Sequence, residues 1–272
     1  MYSLEEKLLI KYTFDKELLN NKTQLFPDAI CDDPWVLYHG TSNLAEMCIE
    51  EGGIFRAEDN IQKEDVEKVV NIYKVLNWCG VDQGGLAVLE PFSLLHDFSE
   101  KNVGAIYMAE TSYRALLYAT YDFAGGEVAR ALRKAINDID RYFSEPKLRY
   151  EHLDMLKMEY EQTGKVGMPQ ECIDMFWLES ELRCLESIRR KCKAPQEQYA
   201  YGIVYAVRFN ENDCQNLRYH QSMGVIASGT IRPEKMVAKV LIPSDFNYVF
   251  QQYDRRIKSI VERIGIIGAL QR

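Results

Sequence analysis

Segments rich in β-branched and aromatic residues stand toward the two ends of the chain, and the text between them has a helical period; nothing else in the sequence restricts the fold as much. Residues 35–38 (WVLY), 104–108 (GAIYM), 201–209 (YGIVYAVRF), 224–227 and 237–242 read as strands. The last two are joined by SGTIRPEKM, in which Gly229 and Pro233 are turn residues. Strands drawn from both ends must meet in space, so the helical text has to leave the sheet and return to it. Residues 43–51 follow Thr41 and Ser42, which have N-cap chemistry, and stop at Gly52 and Gly53. Helical periodicity also marks 62–78, 112–124, 127–143, 171–193 and 245–270, with Gly125 and Gly126 as the clearest internal break. The expectation is one α+β domain over 1–272, its sheet interrupted by helical insertions at about 60–100 and 126–198.

Composition narrows the function classes. The 272 residues are 47% hydrophobic, enough for a sizeable core, and the net charge of -8 gives no global field toward nucleic acid or acidic membranes. Seven widely spaced cysteines form no C-x-x-C pair and predict reduced thiols in a cytosolic protein. The first residues, MYSLEEKLLIKYTF, lack the basic-then-apolar order of a secretory signal, and no apolar run approaches the roughly 20 residues that span a bilayer. His96 and His152 have no second ligand at metal spacing, so no metal is expected. No phosphate-loop pattern occurs.

Two stretches carry chemistry. In YHGTS, Tyr38 to Ser42, a histidine at a strand end offers one ring nitrogen to a ligand while the backbone holds the other, and Gly40 lets a ligand approach the main chain. In GAIYMAETSYRALLYAT, Tyr107 closes a strand and Tyr118 lies on the helix that follows, a placement that makes a slot for a flat ring and favours a cationic one. Each has a plainer alternative: a strand-end histidine serves structure, and among 17 tyrosines such a pair arises in a core.

Taken together and in this order, the two motifs resemble the His-Tyr-Glu class of ADP-ribosyltransferases, the diphtheria-toxin-like and poly(ADP-ribose) polymerase-like enzymes, with the closest local likeness to the catalytic domain of exotoxin A. YHGTSNLAEMCIEEGGIFR is similar to that family's Y-H-G-T, helix, G-G segment, and AIYMAETSYRALLYA to its strand-tyrosine, helix, Y-A segment. The resemblance implies split antiparallel sheets and an NAD+-dependent mono-ADP-ribosyltransferase of toxin or effector type, using NAD+ as substrate and no metal. It implies that His39 holds a ribose hydroxyl, Gly40 holds the carboxamide, and Tyr107 and Tyr118 sandwich the nicotinamide. Thr41 or Ser42 would supply a hydroxyl near the adenosine, and Arg56 would lie near the diphosphate. The expected partners are a macromolecular acceptor, protein or RNA or DNA, and a neutralising antitoxin or immunity protein; no membrane is involved. The expected location is the cytoplasm, or a target cell reached without a classical signal peptide.

The sequence departs from the family at the third triad member. No Asp or Glu occurs between Asp213 and Glu234, where the family places its glutamate before the penultimate strand. Register puts Met223 or Gly224 at that point and Gln221 just before it, so Gln221 is the expected substitute, with His220 beside it. A glutamine bonds hydroxyls but lacks the charge that stabilises a cation. Two alternatives follow: a catalytically silent module that binds NAD+ or ADP-ribose, and an RNA 2'-phosphotransferase, which shares a YHGT-type segment.

Overall fold

The structure, a computed structural model, describes residues 9–54, 63–78, 105–145, 158, 161–162, 164, 175–220, 224–246 and 266. The chain divides into two compact units, one of Met1–Ala57, Asn102–Gly126 and Gln198–Arg272, the other of Glu58–Lys101 and Glu127–Glu197. It mixes helices with two largely antiparallel sheets, in keeping with the expected α+β class.

In the first unit, strand β1 is Ile10–Thr13, followed by helices α1 (Lys16–Lys22) and α2 (Asp28–Cys31). Strand β2 is Val36–Ser42, and a 3-10 turn over Asn43–Ala45 leads into α3 (Glu46–Gly52). In the second unit, the described residues hold α4 (Lys63–Trp78). The first unit resumes with β3 (Ala105–Met108) and α5 (Ser112–Tyr118). Helices α6 (Gly126–Ser144) and α7 (Met175–Glu197) come before the first unit closes with β4 (Tyr201–Arg208), β5 (Leu217–His220), β6 (Gly224–Ser228) and β7 (Met236–Pro243).

One sheet has the order β1-β7-β4-β2 and the other β3-β6-β5. Among the described residues, only the β1–β7 pairing is parallel. Strand β4 is buried on both faces from Gly202 to Val207, which is why its text is a continuous apolar run, whereas β7 alternates buried and half-buried residues as a strand covered more on one face does. One core, with Leu37, Ile203, Tyr205 and Val207, reaches the second sheet through Ile106, Met108 and Val225. The opposite core, with Tyr38, Val204 and Ala206, is capped by Leu19, Phe26, Ala115 and Leu116 of the N-terminal segment and α5.

Helix α5 lies very close on its sheet. A Cβ at Gly40 of β2 would stand 1.9 Å from the Ala115 carbonyl oxygen, and one at Gly202 of β4 would stand 1.8 Å from that of Ala119. No side chain fits at either position. The Ala119 oxygen also accepts the Tyr199 hydroxyl at 2.9 Å, so this end of the helix is held from two sides. Thr111 caps the other end, its hydroxyl accepting from the Arg114 amide at 3.1 Å.

On the other face, Lys239 of β7 bonds Glu46 at 2.8 Å and also Glu50, both from α3. The Tyr201 and Tyr205 hydroxyls donate to Glu46 and Glu50 respectively. Burial alone would raise the Glu46 carboxyl, but bonds from Lys239 and Tyr201 outweigh it and hold it below its ordinary value. Burial likewise disfavours the Lys239 ammonium, and its two carboxylates outweigh that and raise it.

Several sequence expectations are corrected. Strand β2 does not end at the histidine but continues to Ser42, and Ser42 makes no side-chain capping bond to the turn that follows. The helix expected over 112–124 stops at Tyr118, followed by a 3-10 turn over Tyr121–Phe123. Strands β1 and β5 were not foreseen. Of the final helix expected over 245–270, only Asp245, Phe246 and Ile266 are among the described residues.

In the second unit α6 turns Ala129, Leu132, Ile136 and Ile139 inward at helical spacing. Asp65 of α4 pairs with Lys191 of α7 at 2.7 Å, and Asp140 of α6 with Arg189 of α7 at 2.6 Å. Among the described residues, no helix is long and apolar enough to cross a membrane.

Two outcomes follow for stability. Gly202→Ala should lower the unfolding free energy by ~3 kcal/mol, because the added methyl meets a backbone oxygen that cannot rotate away. Chemical denaturation measures it, and an unchanged midpoint would contradict the close seating of α5. Lys239→Met should cost ~2–3 kcal/mol by leaving two carboxylates together without their cation. The depressed Glu46 contributes stability that is full above its ordinary 4.5 and lost as pH falls through its folded value; the raised Lys239 contributes below 10.5 and is lost at higher pH. The variant's deficit should therefore be largest between those limits, read from denaturation midpoints across pH.

Candidate functional site

The site is built where two strands part. Strand β2 keeps its pairing with β4 through to Ser42, opposite Gly202, but on its other edge it meets β3 only through the Tyr38–Ala109 bridge. The two main-chain bonds there are Tyr38 N–H to the Ala109 carbonyl at 2.9 Å and the reverse at 2.7 Å. Beyond this bridge β2 and β3 belong to different sheets, and His39 spans them with its Nδ1 3.3 Å from the Tyr107 carbonyl oxygen. A carbonyl can only accept, so Nδ1 carries the proton and Nε2 is left as an acceptor. Burial pushes the His39 pKa below 6.5, opposed by the Tyr107 carbonyl, so the ring is neutral at neutral pH.

Alternation places the aromatics. Ile106 and Met108 of β3 are 4% and 1% exposed, whereas Tyr107 between them is 40% exposed. Tyr118, the last residue of α5, is 37% exposed and rests edge-on against Phe123, the rings 5.0 Å apart at 69°. A Cβ at Gly40 would stand 3.0 Å from the Tyr118 Cβ, so the glycine beside His39 lies directly under this tyrosine. Sequence reasoning assigned Gly40 to ligand approach; the structure shows that the packing of α5 requires a glycine here.

The remaining expected residues are placed unevenly. Thr41 is half-buried on the His39 face of β2, and Ser42 is buried on the opposite face. Gln221 and Arg56 lie outside the described residues. His220 closes β5 opposite Gly224. Among the described residues no group of His, Cys, Asp or Glu could hold a metal ion.

Sequence reasoning missed Glu110. It follows the bridging Ala109, is 2% exposed, and accepts two bonds from Arg114 Nη1 at 2.9 and 3.0 Å. Its Oε2 lies 3.3 Å from where a Cβ of Gly224 would stand, so an anion borders the start of β6 although β6 itself has none. The visible signal was an acid and an arginine flanking the Thr111 cap at i, i+4 spacing. Comparison of the chain with protein-family models, curated proteins and solved structures finds no match.

The His39 ring has a spectroscopic test. Its imidazole should titrate below 6.5 with the proton on Nδ1, read from ring nitrogen and carbon shifts in NMR. Because the folded pKa is lowered, protonation favours the unfolded chain, so this group subtracts stability as pH falls below 6.5 and nothing above it. A pKa above 6.5 would contradict the enclosed, carbonyl-bound ring.

Proposed function

We propose that the chain is an NAD+-dependent mono-ADP-ribosyltransferase of toxin or effector type with an ADP-ribosyltransferase-like fold. The observation that carries this reading is the bond from His39 to the main chain of Tyr107, which joins the two motifs of the resemblance at one opening between strands. Exposure of both Tyr107 and Tyr118, the second seated over Gly40, supports a slot for the nicotinamide ring.

The chemistry follows from those groups. Each tyrosine face attracts the cationic ring by ~0.5–2 kcal/mol, an attraction lost once the ring leaves neutral. Neutral His39 accepts a ribose hydroxyl at Nε2 and fixes the sugar. The bond from ribose C1' to the ring nitrogen breaks with its electron pair going to nicotinamide. An acceptor nucleophile of a protein or nucleic acid then bonds to the resulting oxocarbenium carbon and gives its proton to solvent. Gln221 takes the place of the family glutamate and bonds the ribose without adding charge, which fits transfer of a single unit. The enzyme acts in the cytoplasm, its own or that of a target cell, and a neutralising partner suits such an activity.

One observation favours a second reading, a module that binds NAD+ without turning it over: the absence of any Asp or Glu between Asp213 and Glu234. Nicotinamide release from NAD+ decides between them. Wild-type protein should release it, in the presence of cell lysate or RNA where an acceptor is needed, and Tyr107→Ala and His39→Ala should each reduce the rate by ~10²-fold or more while folding normally. Binding without release supports the silent module, and release only with a 2'-phosphorylated RNA supports the phosphotransferase.

A further inference from the structure

One hydrogen bond does not fix an imidazole. The His39 bond to the Tyr107 carbonyl is 3.3 Å long, beyond the usual span of about 2.9–3.0 Å for an N–H donor. The outer torsion of a histidine side chain is broad and two-fold, so a bond of that length leaves the ring free to turn. A second constraint stands on the other side of β2. His39 is directly opposite Tyr205 in the β2–β4 pairing, so the two side chains share a face, with Cβ atoms about 4.5–5.5 Å apart. Strand β4 runs along one edge of β2 and β3 meets the other, which puts the imidazole between the Tyr205 side chain and the Tyr107 carbonyl.

Tyr205 is built as more than filler. It is fully buried in the core that holds Leu37, Ile203 and Val207, and the other described buried residues of that core are aliphatic, methionine or phenylalanine. A phenylalanine would fill the same space and would need no partner, whereas a buried hydroxyl must be bonded. Here the hydroxyl donates to Glu50 Oε1 of α3 at 3.1 Å. The same oxygen accepts from Lys239, which stands opposite Tyr205 on β7 and also bonds Glu46 at 2.8 Å. Burial raises the hydroxyl far above its ordinary 10.0, and Glu50 adds to that, so it remains a donor throughout the neutral range. The tyrosine ring is thus fixed at its backbone and at its tip, and its partners hold α3 to the sheet as well.

We propose that Tyr205, anchored by Glu50 and Lys239, is a positioning residue for His39: it confines the imidazole to the orientation in which Nδ1 meets the Tyr107 carbonyl and Nε2 is left as the acceptor. For turnover this rests on the reading of His39 as the ribose contact; for the orientation of the ring it does not.

Nitrogen NMR of His39 in the full chain tests it. The two ring nitrogens have well-separated shifts when one tautomer is held, and the shifts converge when both are populated. Wild type should show the Nδ1–H form alone. Tyr205→Leu should bring the two shifts at least about halfway together, because the flanking ring is gone. Tyr205→Phe keeps the ring without its anchor and should fall between, and Glu50→Ala should match it while leaving Lys239 paired with Glu46. Those two substitutions decide the outcome if the leucine variant does not fold. Val204→Ala alters the neighbouring residue on the opposite face of β4; it should lower the melting temperature and leave the His39 shifts as in wild type. For nicotinamide release, kcat should fall about tenfold in Tyr205→Leu, more than KM rises. Wild-type shifts in all the Tyr205 and Glu50 variants would overturn the assignment. Equal movement in Val204→Ala would also overturn it, by reducing the effect to general loosening of the core. Graded shifts in a protein that neither binds nor cleaves NAD+ would uphold the positioning of His39 and overturn the reading of the site instead.

Discussion

Among the described glycines, the tightest seats are Gly202 and Gly40 under α5, and the candidate site depends on that contact. A helix that carries ordinary side chains between itself and a sheet stands about 10 Å away. At Gly40 and Gly202 there is no space even for a methyl group, because the carbonyls of Ala115 and Ala119 occupy it. Tyr118 leaves this helix at its last residue, so its height over β2 is set by the two glycines. The bonds from Thr111 and Tyr199 hold the two ends of the helix in that seat.

Strand β2 divides the support of the site between its two faces. Tyr38 and Ser42 turn toward the core under α5, where Gly40 gives the helix its seat, while His39 turns the other way, into a row with Tyr205 of β4 and Lys239 of β7. That row ends in two carboxylates and a lysine, which fix α3 against the sheet. Buried Tyr205, bound to Glu50, makes a rigid neighbour for the imidazole. The ring is then oriented by a main-chain carbonyl, a partner that no side-chain rotation can remove.

Much of this arrangement was legible in the sequence, and the reasons differ by element. Strand β4 was clear because a central strand buried on both faces has a continuous apolar run, and β7 because its neighbour fills one face. Strand β1 is short and mostly exposed, and β5 alternates Arg and His with Leu and Tyr, so neither stands out from polar text. The motif YHGTS looked like a strand end because Gly, Thr and Ser commonly mark one; pairing with β4 overrides that local preference. Both tyrosines and the histidine were singled out in the sequence by type and order. Their connection was not, since a side chain held by a backbone carbonyl depends on where two distant strands meet. Glu110 was hidden for a similar reason: its neighbour Gly224 is remote in sequence, and the acid reads locally as part of a helix cap.

Position, rather than residue type, also decides how charge is used. Glu110 is buried and bound twice by one arginine, so within the wall it acts as half of a nearly neutral pair and leaves little field at the opening. Ile226, which lies between Tyr107 and Arg218 in register, is 3% exposed, so the middle of that row is covered. The face that each residue of this sheet takes is set by two strand registers, one joining β3 to β6 and the other joining β6 to β5. A shift of either by one residue would turn Arg218 to the opposite face from Tyr107.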